Sequence, residues 1–199
     1  VSDNVSGTTV ADNDFKRTSA VRHITPPNGS DSQISCAFND DNAGTNKLKV
    51  TVKQNTYSWS EAADSGYIIL EYTIRNKGTS TLNTVYAGIY CDWDIHVASY
   101  NRAGFDPVNK MGYVFSSQFS SPYCGVKLLS ASPVIHFSLN NVAGGNGGVN
   151  PVGGFESNEK YTMLSTNWHT AGNTGPGNDV IDVVSSGPFQ IAPGDSVRI

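Results

Sequence analysis

Apolar and polar residues begin to alternate at Leu48 and keep doing so, in short runs, to the end of the chain. Leu48, Val50 and Val52 alternate with Lys49, Thr51 and Lys53. After a polar stretch from Trp59 to Gly66, Ile68, Leu70, Tyr72 and Ile74 alternate with Glu71, Thr73 and Arg75. A period of two is that of a strand with one buried face, so the two runs predict a hairpin. Asn76-Lys77-Gly78 predicts a turn, and a third strand is expected over about 84–95. There Val85, Ala87, Ile89, Cys91, Trp93 and Ile95 share one face, while Tyr86, Gly88, Tyr90, Asp92, Asp94 and His96 share the other. The first set is expected in the core. The second is an aromatic stripe leading into two carboxylates and an imidazole.

Further strands are expected at 112–119, 125–129, 134–139, 180–185, 188–191 and from Ser196 onward. A loop without periodicity spans Asn140–Gly154, and Glu156–Ser165 reads as a helix with acidic residues in its first turn, as the helix dipole favours. Asn167–Gly177 is a second loop. Many short strands, Gly/Asn turns and one helix predict an all-β fold, an antiparallel β-sandwich of the Ig-like or Greek-key type with one short helix. Residues 1–46 are polar, and only Ile24 and Ile34–Phe38 suggest strands. They are expected to form a partly ordered N-terminal arm, with the sandwich over 47–199. The final strand has only begun when the chain stops at Ile199, so the domain is expected to continue in the natural polypeptide.

Composition narrows the classes. Charged residues are 15% of the 199, below the usual quarter, and Gly, Ser, Thr, Asn and Tyr fill the difference, as in extracellular β proteins. The net charge is -4 and the 13 Lys and Arg are scattered, which argues against nucleic-acid binding. No run of eighteen apolar residues could span a membrane as a helix. The start at Val1 suggests a mature or excised product. Cys36, Cys91 and Cys124 are an odd set, so either all are free thiols or one bridge forms, with Cys91–Cys124 the first choice. No CxxC spacing supports zinc.

Asp92 and Asp94 leave the same face of a strand, about 7 Å apart at their Cα atoms. With Asn101 and Asp106 in the following loop they form an oxygen-rich candidate calcium site, since Ca²⁺ takes six to eight hard oxygen ligands. The plainer reading is a polar strand end, with Asp94 or Asp106 capping turns. Glycosidase chemistry is disfavoured, because parallel carboxylates do not flank a scissile bond. Tyr86 and Tyr90 offer a candidate glycan-binding face, unless a second layer covers them. His136, alternating inside an apolar strand, reads as a structural histidine. No nucleophile elbow accompanies the serines, and Gly144–Gly148 lacks the Lys-Ser/Thr of a phosphate loop.

The segments Tyr67–Asn76 (YIILEYTIRN), Tyr86–Ile95 (YAGIYCDWDI), Asn101–Ala103, Met111–Val114, Gly154–Tyr161 with Leu164 and Ser165, and Gly187–Asp195 (GPFQIAPGD) carry a resemblance. Over roughly 48–199 the chain resembles an accessory β-sandwich domain found downstream of subtilisin-like peptidases in bacterial proteins exported by type IX secretion. The resemblance implies a non-catalytic domain of a secreted or cell-surface protein, packed against adjacent domains of its parent chain. It implies no catalytic residue here, since the peptidase triad would lie in another domain. The expectation is therefore a non-enzymatic accessory domain, with calcium near Asp92 and Asp94 and glycan at Tyr86 and Tyr90 as candidate ligands.

Overall fold

The computed structural model describes residues 14–120, 122–153 and 155–199. As the alternation predicts, they are mainly strands with one short α-helix. In chain order the elements are β1 (Lys16–His23), β2 (Ser32–Asn39), β3 (Val50–Ser58), β4 (Ile68–Asn76), β5 (Leu82–Asp92), β6 (Asn101–Asp106), β7 (Met111–Ser116), β8 (Tyr123–Lys127), β9 (Val134–Asn140), α1 (Ser157–Ser165), β10 (Trp168–His169), β11 (Val180–Ile191) and β12 (Ser196–Arg198). They divide into two compact units. The described residues up to Asn83 with Gln190–Ile199 form one, and Thr84–Phe189 form the other.

The first unit holds an antiparallel sheet of order β1-β2-β3-β4-β12. The expected hairpin is β3–β4, paired without interruption from Val50↔Asn76 to Ser58↔Ile68. The expected arm at 1–46 needs correction. Residues 1–13 lie outside the described residues, but β1 and β2 are full members of this sheet, and the boundary at 46/47 is not one of the structure. β2 pairs with β3 at every residue from Ser32 to Asn39. The buried Asp40 fixes the passage into β3 by accepting from the backbone N–H of Lys49 (2.8 Å) and Val50 (2.9 Å). A buried carboxylate bonded twice by backbone amides acts as a clamp on the chain.

The second unit is layered around the sheet of order β10-β9-β11-β5. β9 and β11 are antiparallel, with Leu139 opposite Ile181 and Phe137 opposite Val183. These four side chains point to one face and form a core with Val149, Phe155 and Met163. Helix α1 covers that face. It starts in a capping box, where Glu156 and Glu159 each bond the other's backbone. The opposite face of the same strands carries His136, Ser138, Val180, Asp182 and Val184, and the small sheet β6-β7-β8 packs on it. The core there is Ile95, Ala103, Val114, Ala171 and Val180, with Trp93 and Cys124 at its margin. Gly112 on β7 makes the approach possible: a Cβ there would stand 2.6 Å from Cδ2 of His136 and 2.7 Å from Cγ2 of Val184.

Candidate functional site

The residues first singled out are placed as follows. β5 ends at Asp92 rather than near Ile95. Beyond it Ile95 is held by Asn101, whose Oδ1 accepts from the Ile95 N–H (2.9 Å) and whose Nδ2 donates to the carbonyls of Ile95 (2.8 Å) and Val97 (3.2 Å). Asn101 is fully buried and spends its amide on backbone. Asp106 accepts from the N–H groups of Val108 and Asn109 and from the Asn109 side chain (2.7 Å), capping the β6–β7 turn. Those bonds lower its carboxyl pKa, the Asn109 side chain most. The expected calcium set is therefore not assembled: two of its four members serve local turns. Asp92 and Asp94 instead stand near Asp179, and Asn141 Nδ2 donates to both Asp92 (3.3 Å) and Asp179 (3.4 Å). Burial, then the charges of Asp179 and Asp94, push the Asp92 carboxyl upward. Among the described residues no three carboxylate, imidazole or thiol side chains converge as metal ligands do.

Tyr86 and Tyr90 lie on the face that alternation assigns them, but that face is covered. Tyr86 meets Tyr161 of α1 edge-on (5.4 Å), and Tyr90 packs against Phe155 (6.2 Å) and the core beneath the helix. Burial raises the Tyr90 hydroxyl pKa, with Asp92 and Asp179 adding to the effect. Both rings are half-buried and packed against α1 or the core beneath it. The three cysteines are free thiols, and burial, the Asp182 charge and Cys124 together push Cys91 up to about 11.

Sequence reasoning missed two groupings. The first is a buried relay. His136 and Asp182 are both fully buried, with Nε2 and Oδ1 2.5 Å apart. The other nitrogen of His136, Nδ1, lies 2.7 Å from Nδ1 of His169, which is exposed on β10. A carboxylate oxygen accepts and an imidazole N–H donates, so Nε2 of His136 is the donor towards Asp182, and one of the two facing Nδ1 atoms donates to the other. Phe105 stacks on both imidazoles at 4.8 Å. Burial, then the neighbouring His136, lowers the pKa of His169. Alternation of Asp182 between Ile181 and Val183 was the available signal, since a charge inside an apolar strand needs a partner.

The second is the outer face of β6-β7-β8. Register places Arg102 opposite Phe115 and Phe115 opposite Tyr123, in one row across three strands. Gly104 opposite Tyr113 and Gly125 beyond it form the next row. Tyr113 lies over Gly104, where a Cβ would be 2.4 Å from its Cζ. Phe115 and Tyr123 are stacked (5.2 Å, 14° between planes), and Tyr113 is 6.1 Å from each. Tyr123 is 61% exposed. Beside this patch opens a groove of about 520 Å³, bordered by Arg102, Phe115, Gln118, Phe119, Tyr123 and Pro176 among others. Alternation at 112–119 gave the strand, but β6 was not expected as a strand and the row could not be assembled without it. Comparison of the chain with family models, curated proteins and solved structures finds no match.

Proposed function

We propose that this is a non-catalytic accessory domain of an exported protein, and that it works by holding glycan on the outer face of β6-β7-β8. The observation that carries this reading is the cluster of the exposed Tyr123 with the half-buried Phe115 and Tyr113, three rings on one sheet face with glycines beside them. The axial C–H face of a pyranose is apolar, and packing it on an aromatic ring removes both surfaces from water without breaking hydroxyl hydration at the sugar's edge. Strands hold the rings, so little is left to order on binding. Support for the accessory role comes from the polar, weakly charged composition and from the resemblance carried by the segments within 67–195.

Affinity electrophoresis and calorimetry against a panel of soluble polysaccharides test this reading. Binding is expected to at least one member, weakened tenfold or more by Phe115→Ala or Tyr123→Ala and unchanged by Asp92→Asn. A chain that binds none of the panel, or whose Tyr123→Ala variant binds as tightly as wild type, would refute it.

A further inference from the structure

Resting on that glycan-binding reading, we propose that the groove accepts a uronic acid unit, a pyranose bearing a carboxylate, with Arg102 as the partner of the carboxylate. Arg102 is next to Phe115 and in line with Tyr123 across the sheet. Neighbouring strands are about 4.8 Å apart, roughly the breadth of one sugar ring. A ring resting on Phe115 and Tyr123 thus places a substituent at its edge over the Arg102 strand.

Among the described residues Arg102 has no ion-pair partner. Its Nη2 donates to the carbonyl of Gly175 at 2.8 Å, which fixes the side chain at the groove wall. Its Nε–H is buried without an acceptor, and no carboxylate pairs with it among the described residues. None of the ten residues that line the groove is acidic. A planar guanidinium beside an aromatic surface matches a carboxylate in a way a lysine would not. Gln118 and Ser120, also in the lining, supply polar groups for ring hydroxyls. The chain as a whole carries a net charge of -4, so an anionic polymer is not drawn by a general field and needs this local cation.

The test compares polygalacturonate with its methyl ester, at two salt concentrations, by calorimetry on the full chain. The free acid is expected to bind at least tenfold more tightly than the ester. That difference should shrink with salt, vanish in Arg102→Gln and survive in part in Arg102→Lys. Because Arg102 also holds Gly175, thermal melts must show the variants folded, and the acid-to-ester ratio on the wild type needs no variant at all. Equal binding of acid and ester, or tighter binding of a sulfated glucan than of the uronate, overturns the assignment to a uronic acid while the glycan-binding reading stands. Binding of neither acid, ester nor any neutral polysaccharide overturns both.

Discussion

The two faces of the sheet β6-β7-β8 are built from alternate residues of the same three strands, and they use aromatic rings in opposite ways. On the inner face Phe105 lies flat on the buried His136 and the exposed His169. On the outer face Tyr113, Phe115 and Tyr123 lie against one another, the first two half-buried and Tyr123 exposed. The inner ring is sandwiched against imidazoles, one of them fully buried, while the outer cluster covers the glycines of its own sheet and leaves Tyr123 mostly in solvent. The lesson is that ring content says little about role. What decides is whether a facing layer offers groups that must be kept dry.

The largest effect expected from breaking this contrast is at Asp182. Replacing it with Ala leaves His136 buried with an unanswered donor, and loss of one member of a buried pair costs about 3–5 kcal/mol. Urea denaturation of Asp182→Ala measures it, and a cost under about 1 kcal/mol would mean that the pair is dispensable. Gly112→Ala comes next. Its Cβ would collide with His136 and Val184, and such overpacking costs about 1–3 kcal/mol. The same substitution at Gly125, whose side faces outward, meets Tyr113 Cβ at 2.9 Å and the Gly112 carbonyl at 2.4 Å. It is therefore predicted to cost stability as well as glycan binding. On the outer face Tyr123→Ala should change stability by under about 1 kcal/mol, in keeping with a surface site, while it removes binding. A large loss of stability there would show that the patch is structural.

The smallest effect concerns pH. The pKa of His169 is lowered in the folded state, so between that value and the unfolded value of about 6.5 the unfolded chain binds more protons. Stability from this group is complete above about 6.5 and declines as pH falls through that window. The melting temperature followed from pH 8 to pH 5 should therefore drop more in the wild type than in His169→Gln. Parallel curves would remove His169 from the relay's energetics.

Much of the fold was legible in the alternation. The β3–β4 hairpin, β7, β9, β11 and the helix at Glu156–Ser165 are near where period and capping residues place them, because each carries its own apolar stripe or cap. The polar stretch that holds β1 and β2 reads as an arm because these strands are held by backbone pairing, β1 with β2 and β2 with β3, to which polar side chains contribute no pattern. β6 and β10 were missed for a related reason. Asn101–Asp106 is short and contains Gly104, and β10 is two residues that exist only beside β9.

The sites divide in the same way. Alternation put Trp93 and Cys91 on one side of β5 and Tyr86, Tyr90 and Asp92 on the other, and these sides are the observed ones. Whether a side is wet was not a property of β5 at all. Helix α1, more than sixty residues later in the chain, covers the tyrosines. Likewise His136 and Asp182 are each a single polar residue in an apolar strand, and their sequences require only that a partner exist. The antiparallel register of β9 and β11 supplies that partner, and β10 adds His169. The sequence by itself determined strand positions, side-chain parity and the need to satisfy buried charge, all local consequences of a two-residue period and of desolvation. Which parity faces water, and which distant residues meet on it, depends on strand order and layer packing. Contacts between residues far apart in the chain carry no local pattern, so only the tertiary structure could decide them.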